Sequence, residues 1–246
     1  MLRSLKSLKG YKIFAKDGDI GEVHDFFFNE NDWSIKYLVV DTGRWLPGRK
    51  VLISPLSFGQ PDQQTKRFPL SLTRDQIKRS PDINLNEPFS RKQLNELSTY
   101  YGWPEYTSIG RLHGTPESHA RAMEAERGGV AVMEAEELYL LGTKDILDYS
   151  IEATDGELGE VEDFIIDDSN WTIRYMEIDT GRWLPGKKVL ASPAWVRGIN
   201  RDDKNVLVDL SQSTIKNSPE YDPSKPITRD YETKLFSYYG RPGYWQ

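Results

Sequence analysis

Short apolar or alternating runs, separated by turn residues, mark the first half of the chain. Residues 11–15 alternate between apolar and polar positions and end at Asp17-Gly18, which is a hairpin turn signal. Residues 20–28 and 33–40 are rich in Val, Ile, Phe and Tyr, which favour β-strands. Two further strands are predicted, at 49–54 and 68–72. Short strands divided by frequent turns are typical of a small β-sandwich or β-barrel.

Two short helices are predicted after the strands. Thr73 and Gln76 have the spacing of a capping box, in which each side chain bonds to the backbone N–H of the other residue. Ser90 and Gln93 repeat that spacing, and the helix that they begin is expected to end at the Tyr-Tyr-Gly sequence of residues 100–102.

The octapeptide Asp-Thr-Gly-Arg-Trp-Leu-Pro-Gly occurs twice, at residues 41–48 and 179–186. At the same offset of 138 residues, 37 of the 90 positions from Asp17 to Tyr106 are identical, with no insertion or deletion. This similarity indicates a tandem duplication, so the two copies share one fold. The second copy is predicted to repeat the strands of the first, including those at 188–192 and 206–210.

The duplication predicts a first domain at 1–106, a linker at 107–138 and a second domain at 139–246. Within the linker, Thr115-Pro116 is a good helix start and Gly128-Gly129 a good helix end, so residues 118–127 are predicted to be helical. The expected fold is mainly β: two small barrels, each with short C-terminal helices, joined by a partly helical linker.

Composition favours a cytoplasmic protein. No apolar run approaches the roughly 20 residues of a membrane span, and the first residues lack the apolar stretch of a secretory signal. With no Cys, neither a disulfide framework nor thiolate chemistry is expected. Export by a route that the sequence does not reveal stays compatible with this composition.

The net charge of −6 is unevenly distributed along the chain. Residues 1–106 carry a balance of +3, residues 107–138 a balance of −3, and residues 139–246 a balance of −6. Opposite charges favour association, so one hypothesis is that the two barrels dock on each other. Neutral divergence of solvated surfaces explains the same difference equally well.

One motif resembles a known family. Gly-Glu-Val-x-Asp-Phe occurs at residues 21–26 and again at 159–164, and each is followed by a turn and a strand of the form Ile-x-Tyr. This pattern resembles the PRC-barrel domain, which is named for the cytoplasmic domain of the photosynthetic reaction centre H subunit. The family also includes the C-terminal domain of a ribosome maturation factor that binds a small-subunit ribosomal protein.

The resemblance covers both copies and implies a β-barrel that acts mainly as a binding or adaptor module. It implies no catalytic residues and no cofactor. The octapeptide and the Tyr-Tyr-Gly sequences resemble a bacterial subgroup with two such domains. The membrane helix of the reaction centre subunit has no counterpart here, so the photosynthetic role does not transfer directly.

The octapeptide loop supplies the first candidate site. Asp41, Thr42 and Gly43 are expected to form an Asx-type turn, because Gly43 is free to adopt a positive φ. Arg44 and Trp45 then form either a recognition surface or part of a loop that folds back on its own barrel, and both interpretations stay open. The candidate binding residues are Asp41, Arg44, Trp45, Asp179, Arg182 and Trp183.

Asp25 and Asp163 are acidic residues flanked by apolar ones, so each needs a polar partner if it is buried. A structural pair with the repeated arginines, Arg44 and Arg182, is the favoured interpretation. Acid–acid chemistry on a metal or a proton is the alternative.

Other site types have little support in the sequence. His113 and His119 are six residues apart in the linker and His24 is replaced by Glu162 in the second copy, so no metal site is expected. The acidic chain argues against nucleic-acid binding. Aromatic segments at 103–106 and 241–245 follow each terminal helix and either cover an end of the barrel or form an exposed patch.

Three functions stay open. The first is a non-enzymatic adaptor built as a tandem pseudo-dimer, which acts through protein–protein contacts or self-association. The second is a small-ligand-binding protein or enzyme that uses the cleft between the two barrels, with the polar octapeptide residues as its contacts. The third is an adaptor at a membrane or at the photosynthetic apparatus, which rests on family analogy and keeps peripheral membrane association open.

Overall fold

The computed structural model describes residues 1–85, 87–105, 137–138, 140–181 and 186–246, with the pair 137–138 described by its backbone. The helix predicted at 118–127 lies outside the described residues. The chain forms two compact units. The first-copy unit comprises Ser7–Lys144 and Asn170–Thr172, and the second-copy unit comprises Met1–Lys6, Asp145–Ser169 and Ile173–Gln246.

Strands predominate in the described residues. The strands are β1 (Leu2–Ser4), β2 (Lys12–Ala15), β3 (Gly18–Asn29), β4 (Ile35–Asp41), β5 (Lys50–Ile53), β6 (Arg67–Pro69), β7 (Phe89–Ser90), β8 (Glu137–Leu138), β9 (Leu140–Gly142), β10 (Ser150–Ala153), β11 (Gly156–Asp167), β12 (Thr172–Asp179), β13 (Lys188–Ala191), β14 (Val196–Asn200) and β15 (Asn205–Val208). The α-helices are α1 (Arg74–Lys78), α2 (Arg91–Tyr101), α3 (Thr143–Ile146), α4 (Gln212–Lys216) and α5 (Arg229–Tyr239). The predicted mainly β fold class is confirmed.

The first-copy unit is built on a sheet with the order β5-β4-β3-β2-β6, and β9 pairs with the remaining edge of β3. Its neighbouring strands are antiparallel except for β2 and β6, which are parallel. β3 is twelve residues long, so one of its edges has room for both β2 and β9.

The second-copy unit repeats this arrangement with the order β13-β12-β11-β10-β15-β14. β1 pairs with β11 at the place that corresponds to β9 on β3. β10 and β15 are again parallel. The same sequence pattern therefore gives the same topology twice, as the duplication predicts.

The predicted helix starts are confirmed. Thr73 Oγ1 accepts from the backbone N–H of Gln76, and the Gln76 side chain accepts from the Thr73 backbone N–H, which completes a capping box. Ser90 and Gln93 form the second box, and Gly102 ends α2 in the left-handed conformation with φ 71°. These local signals operate within a few residues, which is why the sequence reveals them.

The two copies exchange a strand. β1 comes before the first copy in the chain but completes the sheet of the second-copy unit, where Leu2 lies opposite Asp167 and Ser4 opposite Ile165. β9 comes before the second copy but completes the sheet of the first-copy unit, where Leu140 lies opposite Asn29. The register is the same in both places at the offset of 138 residues, so the exchange is reciprocal.

A second segment crosses between the copies at a hairpin tip. Trp171, from the turn between β11 and β12, belongs to the first-copy unit and is 6% exposed. Its ring stacks on Phe68 at 5.4 Å between centroids and meets Phe58 edge-on at 4.7 Å. Its carbonyl accepts from the backbone N–H of Ile35 at 2.8 Å. The core of the first-copy unit therefore includes an aromatic ring from the second copy.

An apolar cluster joins the sheet of the first-copy unit to α2. Its buried members are Phe27, Tyr37, Val39, Leu52, Ile83, Phe89, Leu94, Leu97 and Leu140. Leu140 belongs to the exchanged strand β9, so the exchange contributes apolar burial as well as backbone hydrogen bonds.

No helix among the described residues has both the length and the apolar character needed to cross a bilayer.

Candidate functional site

The first octapeptide loop is held in shape by its own backbone and by Thr42. The Thr42 hydroxyl donates to the carbonyls of Leu46 and Arg49, at 2.7 and 2.5 Å. Asp41 Oδ1 accepts from the Gly43 N–H at 2.9 Å, which confirms the predicted Asx-type turn. Gly43 has φ 53°, in the left-handed region that glycine adopts easily. The loop is therefore a preformed structure.

Gly21 lets β3 pass close to the start of this loop. A Cβ at Gly21 would lie 1.9 Å from the Asp41 carbonyl oxygen, and φ there is 138°. Gly159 makes the same approach to Asp179, where a Cβ would lie 2.0 Å from the carbonyl oxygen. The Gly of the Gly-Glu-Val motif is thus needed because the backbones of two neighbouring segments almost touch.

Arg44 and Trp45 differ in their surroundings. The Trp45 ring is half-buried, and the Arg74 guanidinium carbon lies 5.0 Å from its centroid, a cation–π contact. The Arg44 side chain is exposed, and among the described residues it has no hydrogen-bond or ion-pair partner. Trp45 thus takes part in the packing of the loop, whereas Arg44 projects into solvent.

The second octapeptide loop repeats the first where it is described. Asp179 Oδ1 accepts from the Gly181 N–H at 2.8 Å, and the Thr180 hydroxyl donates to the Lys187 carbonyl at 2.7 Å. Gly181 has the same φ of 53°. Arg182 and Trp183, two of the predicted binding residues, lie outside the described residues.

A basic residue that follows each loop braces the neighbouring short helix. The Arg49 guanidinium donates to the carbonyls of Lys78 and Ser80, just at and beyond the C-terminal end of α1. Lys187 does the same in the second copy, to the carbonyls of Lys216 and Ser218. A cation at the C-terminal end of a helix satisfies carbonyls that lack intrahelical partners and complements the helix dipole. This brace fixes the base of each loop.

Asp25 and Asp163 hold the exchanged segments. The Asp25 carboxylate accepts from the Thr143 hydroxyl at 2.6 Å and from the Lys144 backbone N–H at 3.2 Å. Asp163 accepts from the Ser4 hydroxyl and from the Lys6 backbone N–H. Arg44, the partner predicted for Asp25, is not among these donors, and Arg182 lies outside the described residues.

Burial raises the pKa of both carboxyl groups above the usual range for Asp, and the hydrogen bonds from the exchanged segments oppose that rise. Each carboxyl group is less than a tenth exposed. Because the donors come from residues that follow β1 and β9, the two Asp residues act as clamps on the exchange. They lie apart from any acid–acid pair in the described residues.

A cluster of basic groups lies beside Asp25 on the surface of the first-copy unit. Lys50 Nζ is 2.9 Å from Nε2 of His24, and Lys144 Nζ is 3.3 Å from both ring nitrogens. Burial and then the positive charges of Lys144 and Lys50 lower the pKa of His24. The ring therefore favours the neutral form near neutral pH.

The aromatic segments after α2 and α5 pack on their own units. Trp103 stacks on Tyr101 at 4.3 Å between centroids, and its Nε1 donates to the Ser57 hydroxyl at 3.0 Å. In the second copy, Trp245 meets Phe236 edge-on at 5.2 Å. Both tryptophans are half-buried, so these segments contribute to packing.

Among the described residues, no group of three or more His, Asp or Glu side chains is placed to hold a metal ion. His113 and His119 lie outside that part of the chain.

Comparison with known families decides the classification. The model of the PRC-barrel domain matches residues 2–75 and again residues 142–215, which together make up more than half of the chain. The chain belongs to the PRC-barrel domain family. The first PRC-barrel match includes β1, and the second begins at the last residue of β9. The exchanged strand of the first copy is therefore part of the PRC-barrel sequence itself.

An uncharacterised protein of Deinococcus radiodurans is similar to this PRC-barrel chain. The two are 30% identical over 87 residues, which is 35% of this chain and 31% of that protein. The chain thus spans about a third of the length of that relative.

Sequence reasoning did not find the residues that anchor the exchange. Arg3 and Ser4 bind β1 to the second-copy unit, and Thr143 and Lys144 bind the segment after β9 to the first. A signal existed, because Leu2 and Lys6 match Leu140 and Lys144 at the offset of 138 residues. It shows that the repeat extends to the start of the chain, but not which copy each strand completes.

Proposed function

We propose that this PRC-barrel protein is a non-enzymatic adaptor that acts through protein–protein contacts or self-association, with the octapeptide loop as its recognition surface. The observation that carries the proposal is the state of Arg44. The residue is identical in both copies, lies on a loop whose shape is fixed by other residues, and is exposed without an intramolecular partner among the described residues.

The division of labour within the loop supports this role. Thr42, Gly43 and Trp45 account for the fold of the loop, so a structural requirement explains why they occur in both copies. Arg44 has no such explanation. Arginine combines a large apolar stem with five N–H donors, and it is enriched among the residues that dominate binding energy at interfaces.

The test is the substitution Arg44→Ala, alone and combined with Arg182→Ala. We expect the melting temperature to stay within about 2 °C, because surface substitutions of this kind change stability by only about 0.5 kcal/mol. We expect association, measured by sedimentation and by cross-linking from a photoreactive residue at position 44, to weaken by about tenfold or more.

Arg197→Ala is the matched control, since Arg197 is an exposed arginine whose first-copy equivalent is Gly59. It should leave association unchanged. A chain that stays monomeric and forms no cross-link from position 44 would contradict the adaptor role, and an Arg44→Ala variant that unfolds would return the loop to a purely structural one.

A further inference from the structure

In the second-copy unit, two surface ammonium groups have carboxylate partners from the chain itself. The Glu162 carboxylate forms an ion pair with Lys6, and Lys188 Nζ lies 3.8 Å from the same oxygen atom. Lys188 also bonds to Glu177 at 2.6 Å. This cluster therefore balances its positive charges internally.

The first-copy unit keeps both lysines but replaces both glutamates. The equivalent residues at an offset of 138, with the second-copy residue first, are Lys6 and Lys144, Lys188 and Lys50, Glu162 and His24, and Glu177 and Val39. The positions that supply two negative charges in one copy thus supply an imidazole and an isopropyl group in the other.

The imidazole is a poor substitute for the carboxylate. Both Lys50 Nζ and Lys144 Nζ lie within 3.3 Å of His24 Nε2, so two cationic groups converge on one ring nitrogen. A neutral ring offers one lone pair and no charge, and a protonated ring adds a third positive charge. A carboxylate with two oxygens and a full negative charge matches this arrangement better.

Acidic neighbours do not distinguish the two copies. Asp25 and Asp41 act electrostatically on His24. Their equivalents, Asp163 and Asp179, act on Lys6 and Lys188 respectively in the second copy. Since a carboxylate occupies the second-copy cluster in spite of these neighbours, the same neighbours do not prevent one from binding to the first.

We propose that His24, Lys50 and Lys144 form a binding site for a carboxylate side chain of an acidic peptide segment, which takes the place that Glu162 holds in the other copy. Lys50 and Lys144 are exposed and His24 is partly exposed, so a side chain from outside reaches the cluster. The site deepens the proposed adaptor role and rests on it for its partner. A carboxylate is favoured over a phosphate because the occupant in the second copy is a carboxylate.

The experiment follows the His24 ring by NMR in the full-length chain labelled at histidine. Separate arms add a short poly-glutamate peptide with blocked ends, acetate, and inorganic phosphate, all at constant ionic strength. We expect the peptide to shift the His24 ring signals in a saturable manner and to raise the pKa of His24, because a bound carboxylate stabilises the imidazolium. Raising the salt concentration should weaken the binding, since the cluster lies at the surface.

Two variants and one control assign the effect. His24→Glu reproduces the second-copy cluster, identifies the His24 signals among those of the three histidines, and should weaken binding of the peptide about fivefold. Lys50→Gln should weaken it by a comparable or smaller factor. Lys92→Gln changes an exposed lysine elsewhere in the same unit and should have no effect.

A peptide that leaves the His24 signals unmoved, or that binds the wild type and His24→Glu equally, overturns the site. Binding of phosphate at His24 without binding of the peptide overturns the carboxylate assignment. The adaptor role is tested separately: if Arg44→Ala abolishes association while His24→Glu has no effect on it or on peptide binding, the role stands and this site is wrong.

Discussion

Single residues fix the geometry of the octapeptide loop, and Gly21 is the most constrained of them. Its φ of 138° is rare for other residues, and a Cβ would overlap the Asp41 carbonyl oxygen. Gly43 has a positive φ as well, but open space surrounds the position where its Cβ would lie. The two glycines therefore separate steric contact from backbone conformation.

We expect Gly21→Ala to destabilise the first-copy unit by about 3 kcal/mol or more, because both the strained φ and the clash with the backbone must be relieved. Gly43→Ala is the control and should cost about 1–2 kcal/mol, the cost of the left-handed conformation alone. Urea denaturation of both variants measures the difference, and equal losses would contradict this account of Gly21.

Asp163 and Asp25 give the exchange a pH dependence. Burial raises the pKa of each carboxyl group in the folded protein. The folded state therefore binds a proton more tightly than the unfolded state, and the stability contributed by this difference is fully present below the unfolded pKa of about 4. It is lost as the pH rises through the folded pKa.

The substitution Asp163→Asn removes this titration while keeping the shape of the side chain and its carbonyl acceptor. We expect the stability of the wild type relative to the variant to be greatest near pH 4, to fall as the pH rises, and to level off above the folded pKa. Urea denaturation at a series of pH values measures this. A relative stability that rises over the same range would show that the hydrogen bonds to the ionised carboxylate outweigh its burial.

At the level of elements, two three-residue strands complete two sheets. Isolated strands of this length have little stability, so contacts outside the ladder are needed. For β1 these include an ion pair between Arg3 and Asp168, both nearly buried, and the burial of Leu5, which is 1% exposed. For β9 they include the buried side chains of Leu140 and Leu141.

Deletion of residues 1–6 should destabilise the second-copy unit by roughly 2–5 kcal/mol, the range found when a buried leucine is truncated. Hydrogen exchange should show lost protection at residues 165–167, which pair with β1, while residues 27–29 stay protected.

Leu141→Glu is the reciprocal variant, because it places a charge on β9 at a buried position. It should reduce protection at residues 27–29 and leave residues 165–167 unchanged. If the deletion and Leu141→Glu both affected only the copy that each segment precedes in the chain, the strand exchange would be wrong.

For the whole molecule, the exchange makes each compact unit depend on residues from both halves of the sequence. A first half cut at residue 106 lacks β9 and Trp171, and a second half that starts at residue 139 lacks β1. The domain boundaries predicted from the repeat and the charge-driven docking of the two barrels remain predictions.

Separately produced halves, 1–106 and 139–246, should each be less ordered than in the intact chain and should regain native near-UV circular dichroism when mixed. Backbone pairing and apolar burial dominate the exchanged contacts, so we expect this association to change little with salt. Association that disappears at high salt would instead support docking by opposite charges, and two well-folded monomers that ignore each other would contradict the exchange.

Much of this fold follows from local patterns in the sequence. The alternation at residues 11–15, the capping boxes at Thr73 and Ser90, and the Asx-type turn at Asp41 all act over a few residues. The resemblance to the PRC-barrel family is confirmed for the same reason, because its motif records those local requirements. The exposure of Arg44 is of another kind, since it depends on which neighbours the folded chain places around the loop.

The sequence by itself determined that the chain is a duplication, that it is mainly β, and that Asp41 and Thr42 begin a shaped loop in both copies. Only the tertiary structure decided which copy each first strand completes and that Asp25 and Asp163 clamp it there. The physical reason is that β1 and β9 have matching registers on β11 and β3, so their local patterns fit either sheet. Long-range contacts such as that of Arg3 with Asp168 make the choice.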